Sequence, residues 1–110
     1  MNLEVNLIED KKQSILSLSG EIDAYTAPQL KEAFDTLLEQ NAQTIVVDME
    51  NVTYMDSTGL GVFISVLKSV KEKDSEFSLV NIQERVLRLF QITGLDEVMD
   101  LKAVIRGGKE

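Results

Sequence analysis

The chain has 110 residues, 44% hydrophobic and 27% charged, the balance of a soluble globular protein with one core. Cysteine and histidine are both absent, which excludes disulfide frameworks, thiolate nucleophiles, Cys/His zinc sites and histidine-based triads. With 19 acidic residues against 11 basic ones the formal charge is -8, which argues against nucleic acid or an anionic membrane as partner and for a protein.

No apolar run approaches the roughly 18 residues of a membrane-spanning helix. MNLEVNLIEDKK also lacks the basic-then-apolar layout of a secretory signal, so a cytoplasmic location is the expectation. Residues 3–8 alternate, with Leu3, Val5 and Leu7 on one face, and SILSLS at 14–19 follows a polar stretch; the pair predicts a β-hairpin. Gly20 is expected to end the second strand. GEIDAYTAP leads to a helix with Thr26 as N-cap and Pro28 in its first turn, burying Leu30, Ala33, Phe34, Leu37 and Leu38.

TIVVD at 44–48 is β-branched and apolar, which predicts a central strand covered on both faces. A second helix over 57–73 follows, with Leu60, Phe63, Ile64, Leu67 and Val70 in one stripe and Val62 and Val66 widening it. FSLV at 77–80 predicts a further strand. Asn81 and Glu84 are spaced as a capping box for a third helix, which Gly94 should stop. LDEVMDLKAVIRGGKE reads equally as an edge strand near 97–101 or a frayed helix. Alternation of this kind implies an α/β domain.

The stretch YMDSTGLGVF at 54–63 carries the unusual chemistry. Glycine in a helix costs about 0.5–1 kcal/mol against alanine, so Gly59 and Gly61 weaken the helix they begin. Either they allow close packing on neighbouring backbone, or they leave bare surface through which another molecule reaches Ser57. Ser57 itself reads as an N-cap. A helix N-terminus also tolerates an anion, so a phosphate ester at Ser57 would suit its own fold. A hydrolase elbow is excluded, because Met55 stands where glycine is required and no histidine can serve as base.

MDSTGLGVF at 55–63, GEIDAYTAP at 20–28 and RLFQITGL at 88–95 resemble the anti-sigma factor antagonists, single-domain members of the STAS family. The likeness covers nearly the whole chain and is strongest toward the general-stress-response type of Gram-positive bacteria. It implies a mixed sheet that opens with a hairpin and has helices packed against it; the length fits one domain over 1–110, and the final RGGKE at 106–110 is expected to be a mobile tail. By the same resemblance the chain is no enzyme and has no cofactor. Its unmodified form would bind an anti-sigma factor that is also a serine kinase and so release a sigma factor. The kinase, using ATP and magnesium, would phosphorylate Ser57, with Thr58 as second candidate, and a serine phosphatase would reverse the modification.

Partner contacts are expected from Asp23, Tyr25, Asp56, Ser57, Thr58, Gly59 and Gly61. Asp56 either holds the acceptor hydroxyl or contacts the kinase, or it only complements the helix dipole. Asp23 and Glu21 read as partner contacts or as a solvated turn, and Tyr25 and Tyr54 as interface anchors or half-buried tyrosines. Two alternatives belong to other classes. One is a receiver-like phosphoacceptor at Asp48; the other is a scaffold or ligand-binding STAS module that is not phosphorylated.

Overall fold

The computed structural model describes residues 2–10 and 13–103, so the tail expected at 106–110 lies outside the described residues. Strand β1 (Leu3–Asp10) and strand β2 (Gln13–Ile22) pair antiparallel, from Leu3 opposite Gly20 to Asp10 opposite Gln13. Helix α1 (Ala27–Glu39), strand β3 (Thr44–Met55), helix α2 (Ser57–Glu72), strand β4 (Glu76–Ile82) and helix α3 (Glu84–Ile92) follow in order. A 3-10 turn (Leu95–Glu97) then leads to edge strand β5 (Asp100–Ala103), which decides the ambiguous last segment for strand. The sheet runs β1-β2-β3-β4-β5, with every pairing after the first parallel. This is the hairpin-first mixed sheet of an α/β fold.

Burial alternates along the three inner strands. Leu16 and Leu18 on β2, Ile45, Val47 and Met49 on β3, and Phe77 and Leu79 on β4 are buried, while Ile15, Val46 and Val80 are only half-buried. The helices therefore cover one face, and β3 is not enclosed on both as its composition suggested. Val46 lies between Ile15 and Ser78 on the open face, where β-branched side chains suit a pleated, half-covered surface. On β1 only Leu3 is buried and Leu7 is 43% exposed. Gln29 of α1 donates to Leu3 O, so helical cover reaches that end of the edge strand.

Gly20 does not end β2. Its φ is +121°, and a Cβ there would overlap Asn2 O, so glycine permits a bulged strand to continue to Ile22. The expected capping box at α3 is also replaced. Asn81 stays in β4 at φ 57° and donates Nδ2 to Asp48 Oδ1 at 3.2 Å, and Gln83 precedes the helix without a side-chain cap. Gly94, at φ 79°, follows α3 in the left-handed conformation expected of a helix stop.

The helical stripes meet in one aromatic cluster. Phe34 of α1, Phe63 of α2 and Phe90 of α3 are fully buried, and Phe77 of β4 joins them. Ring centroids lie 5.7 Å apart for Phe34 and Phe63, 5.9 Å for Phe34 and Phe77, and 6.0 Å for Phe63 and Phe90. Edge-to-face contact is the favoured geometry at these separations. Phe63 touches the other three, so all three helices depend on it. Phe63→Ala should lower the unfolding free energy by about 3–5 kcal/mol in urea denaturation; a loss under about 1 kcal/mol would show that the cluster is not the centre of the core.

Candidate functional site

Parallel pairing of β2 with β3 continues to the ends of both strands, setting Glu21 opposite Tyr54 and Ile22 opposite Met55. Asp56 N donates to Ile22 O at 3.2 Å, so the loop after β2 and the start of α2 emerge side by side. This register sets the GEIDAYTAP loop next to the serine.

The loop is rigid by local bonding. Asp23 Oδ1 accepts from Tyr25 N at 2.9 Å and Thr26 N at 3.1 Å, while Thr26 Oγ1 accepts from Asp23 N at 2.9 Å and donates to Glu21 O at 2.8 Å. Asp23 and Thr26 are consequently 7% and 5% exposed. Thr26 does precede α1, but its hydroxyl closes this loop and makes no cap bond to the helix. The Asp23 carboxylate faces its own backbone. What the loop shows to solvent is Tyr25, 86% exposed, with Tyr54 of β3 beside it at 45%. These two rings, Glu21, Asp23, Ala24 and Asp56 line a cleft of ≈ 300 Å³.

At the start of α2 the cap is Asp56, not Ser57. Asp56 has extended backbone, and its Oδ1 accepts from Thr58 N at 2.9 Å and Gly59 N at 3.4 Å. A carboxylate in the N-cap position satisfies the orphan amides and complements the dipole, which displaces serine from that task. Ser57 is the first helical residue and is exposed, as is Thr58. The Thr58 and Gly59 amides are thus occupied by Asp56 and are not free to receive a phosphate. Phosphate on Ser57 would be accommodated by solvent exposure.

The two glycines differ in what surrounds them. A Cβ at Gly59 would come within 2.6 Å of Met55 Cγ and 2.7 Å of Ile22 Cγ2, so Gly59 lets the helix settle on the strand ends. A Cβ at Gly61 meets nothing within 4 Å, and the residue is exposed. Gly61 leaves bare surface one turn beyond Ser57. Ile22 and Met55, which fix this geometry, were passed over in the sequence; their signal is that each ends a buried strand immediately before an aspartate.

Asp48 is placed differently. It lies within β3, seven residues before the strand ends, and its Oδ1 accepts from Glu50 N at 3.0 Å and from Asn81 Nδ2. That is a strut between β3 and β4, unlike the strand-end carboxylate a receiver requires. Among the described residues no group of three or more acidic side chains could hold a metal ion, and no helix is long and apolar enough to cross a membrane.

Comparison with known proteins agrees with this geometry. The STAS domain model matches residues 4–107. The anti-sigma-B factor antagonist of Bacillus subtilis is 42% identical over 108 residues, covering 98% of both chains. That of Listeria monocytogenes is 41% identical over 105 residues, covering 94% of this chain and 92% of the other. The solved structure of the anti-sigma factor antagonist SpoIIAA in its unphosphorylated form superposes with a TM-score of 0.77 at 25% identity, over 89% of this chain and 87% of that one. The chain therefore belongs to the STAS domain family, where it groups with the anti-sigma factor antagonists.

Proposed function

We propose that the unphosphorylated chain binds an anti-sigma factor that is also a serine kinase, and so releases a sigma factor of the general stress response. The kinase, with ATP and magnesium, phosphorylates Ser57 and thereby loses its hold on the chain; a serine phosphatase restores the binding form. The chain itself contributes an acceptor hydroxyl and a surface, and the phosphoryl chemistry belongs to its partners. The names of its relatives support an anti-sigma factor as partner.

One observation carries the proposal: Ser57 stands exposed on the first turn of α2, beside bare Gly61, while the task of capping the helix falls to Asp56. A serine relieved of capping can be modified without loss of a structural bond. A phosphate brings about -1.5 to -2 charges. Unit like charges about 4 Å apart repel by roughly 1 kcal/mol in water and about 4 at an effective dielectric near 20. Where the partner's surface directly opposite Ser57 is tight or acidic, the modification therefore costs about tenfold in affinity or more, whereas in the free chain the same charge stays in water. Tyr25 and Tyr54 are the anchors of the docking face; Asp23 serves it by holding Tyr25 in place.

Incubation with the anti-sigma-B kinase and ATP should put one acid-stable phosphate on the chain, located to Ser57 by mass spectrometry and lost in Ser57→Ala. Phosphate on Thr58, or acid-labile phosphate on Asp48, would reject the assignment. Ser57→Asp should weaken kinase binding by about tenfold or more and leave the thermal midpoint nearly unchanged. If the variant folds and binds as the parent does, the chain is a scaffold and not a switch.

Gly61→Ala separates packing from recognition. Alanine should stabilise α2 by about 0.5–1 kcal/mol, because the site is open and glycine is the poorer helix former. Kinase affinity should nevertheless fall, since the added methyl stands on the docking surface. Calorimetry of both properties checks the opposite signs; unchanged affinity would remove Gly61 from the interface.

A further inference from the structure

A second cleft, of ≈ 450 Å³, is lined by Thr53, Gln83, Glu84, Arg85 and Arg88. It lies at the same end of the sheet as Ser57, because parallel neighbours β3 and β4 both run toward that end before turning into α2 and α3. β3 pairs with β4 only as far as Asp48 opposite Val80, so its last residues overhang. Consecutive residues of that overhang, Thr53 and Tyr54, line the two clefts, one each.

The clefts differ in sign. Around the tyrosines stand three carboxylates, Glu21, Asp23 and Asp56, and no cation. Beside α3 stand Arg85 and Arg88 against Glu84 alone, on a chain whose net charge is -8. Gln83 of the arginine cleft is tied to β3 by donating Nε2 to Glu50 O at 2.6 Å. Arg88 approaches Glu84 only to 3.6 Å, with both side chains largely exposed, a pairing that holds little free energy. Arg85 has no carboxylate within ion-pair distance among the described residues. Two guanidinium groups one turn apart, both free to redirect, present a donor array matched to carboxylates.

We propose that the Arg85 and Arg88 cleft takes acidic side chains of the protein that covers Ser57, so that the partner's contact surface is bipolar: carboxylates over α3, cations over the tyrosine cleft. This rests on the docking role of the Ser57 end. Against a partner that is basic throughout, replacing two arginines by glutamates makes this acidic chain a better ligand. Against carboxylates in the cleft, the same change places like charges face to face.

The test is titration calorimetry of the anti-sigma-B kinase against the full chain, the pair Arg85→Glu with Arg88→Glu, the pair Arg85→Lys with Arg88→Lys, and Ser57→Asp. The glutamate pair should bind about tenfold more weakly or worse, and the lysine pair should fall between it and the parent. Arg85→Glu complements the dipole at the start of α3, whereas Arg88→Glu gives up the exposed pairing with Glu84; the two small effects oppose, so the thermal midpoint should stay nearly unchanged, which keeps misfolding apart from lost recognition. Equal or tighter binding by the glutamate pair, with Ser57→Asp still weakened, overturns this inference alone. If Ser57→Asp binds like the parent, the docking reading fails and the bipolar surface with it.

Discussion

The register of β2 against β3 is the constraint on which the position of the serine depends. The two strands stay paired beyond the point where β4 has parted from β3, and Ile22 opposite Met55 is their last rung. From there three contacts follow in sequence. Asp56 N is tied to Ile22 O, Gly59 rests on both Ile22 and Met55, and the Asp56 carboxylate closes the first turn. Two register shifts set this alignment, one between Ser17 and Ser19 and one between Gly20 and Glu21, and the second brings Glu21 opposite Tyr54. Irregularities in this pairing thus determine which two loops share a surface.

That rigidity has an electrostatic counterpart. Had Ser57 been the N-cap, phosphorylation would have broken a structural bond and traded it for an anion at the dipole, coupling the modification to folding. With Asp56 in that role, the start of α2 is already neutralised, and a phosphate adds charge to an acidic neighbourhood without altering a bond of the fold. Its free-energy consequence is greatest where a partner excludes water, because screening is weakest there. The proposed switch acts through the interface and leaves the scaffold as it was.

Most of the architecture was legible because helical stripes and strand alternation are strong signals in a chain this regular. Leu30, Phe34 and Leu37 are buried as their spacing requires, and so are Leu60, Phe63, Val66 and Val70. What escaped the sequence depends on geometry between elements. Asp56, Ser57 and Thr58 are all good cap residues, and propensity cannot choose among three neighbours; only the extended backbone at Asp56 decides. β3 was cut short at Asp48 because ENVTYM has no apolar run, yet pairing with β2 carries the strand through it. Asn81 looked like a cap because asparagine favours helix starts. Its amide instead bridges to Asp48, a partner 33 residues away that no local pattern could reveal.

The candidate site was legible in composition and not in function. Gly59 and Gly61 are two residues apart in one motif and look equivalent, but the structure gives them unrelated causes. One is required by Ile22 and Met55 beneath it, and the other by nothing inside the molecule. A glycine that weakens a helix without any internal need is a cost the fold has no reason to bear, and the proposed docking role supplies one. The same holds for Tyr25, almost fully exposed on a loop held rigid by Asp23 and Thr26, where a flexible polar side chain would be the better solvated choice. Ordered backbone bonding beneath an exposed aromatic ring lowers the entropy lost when that ring is covered, and that benefit is realised only when something covers it.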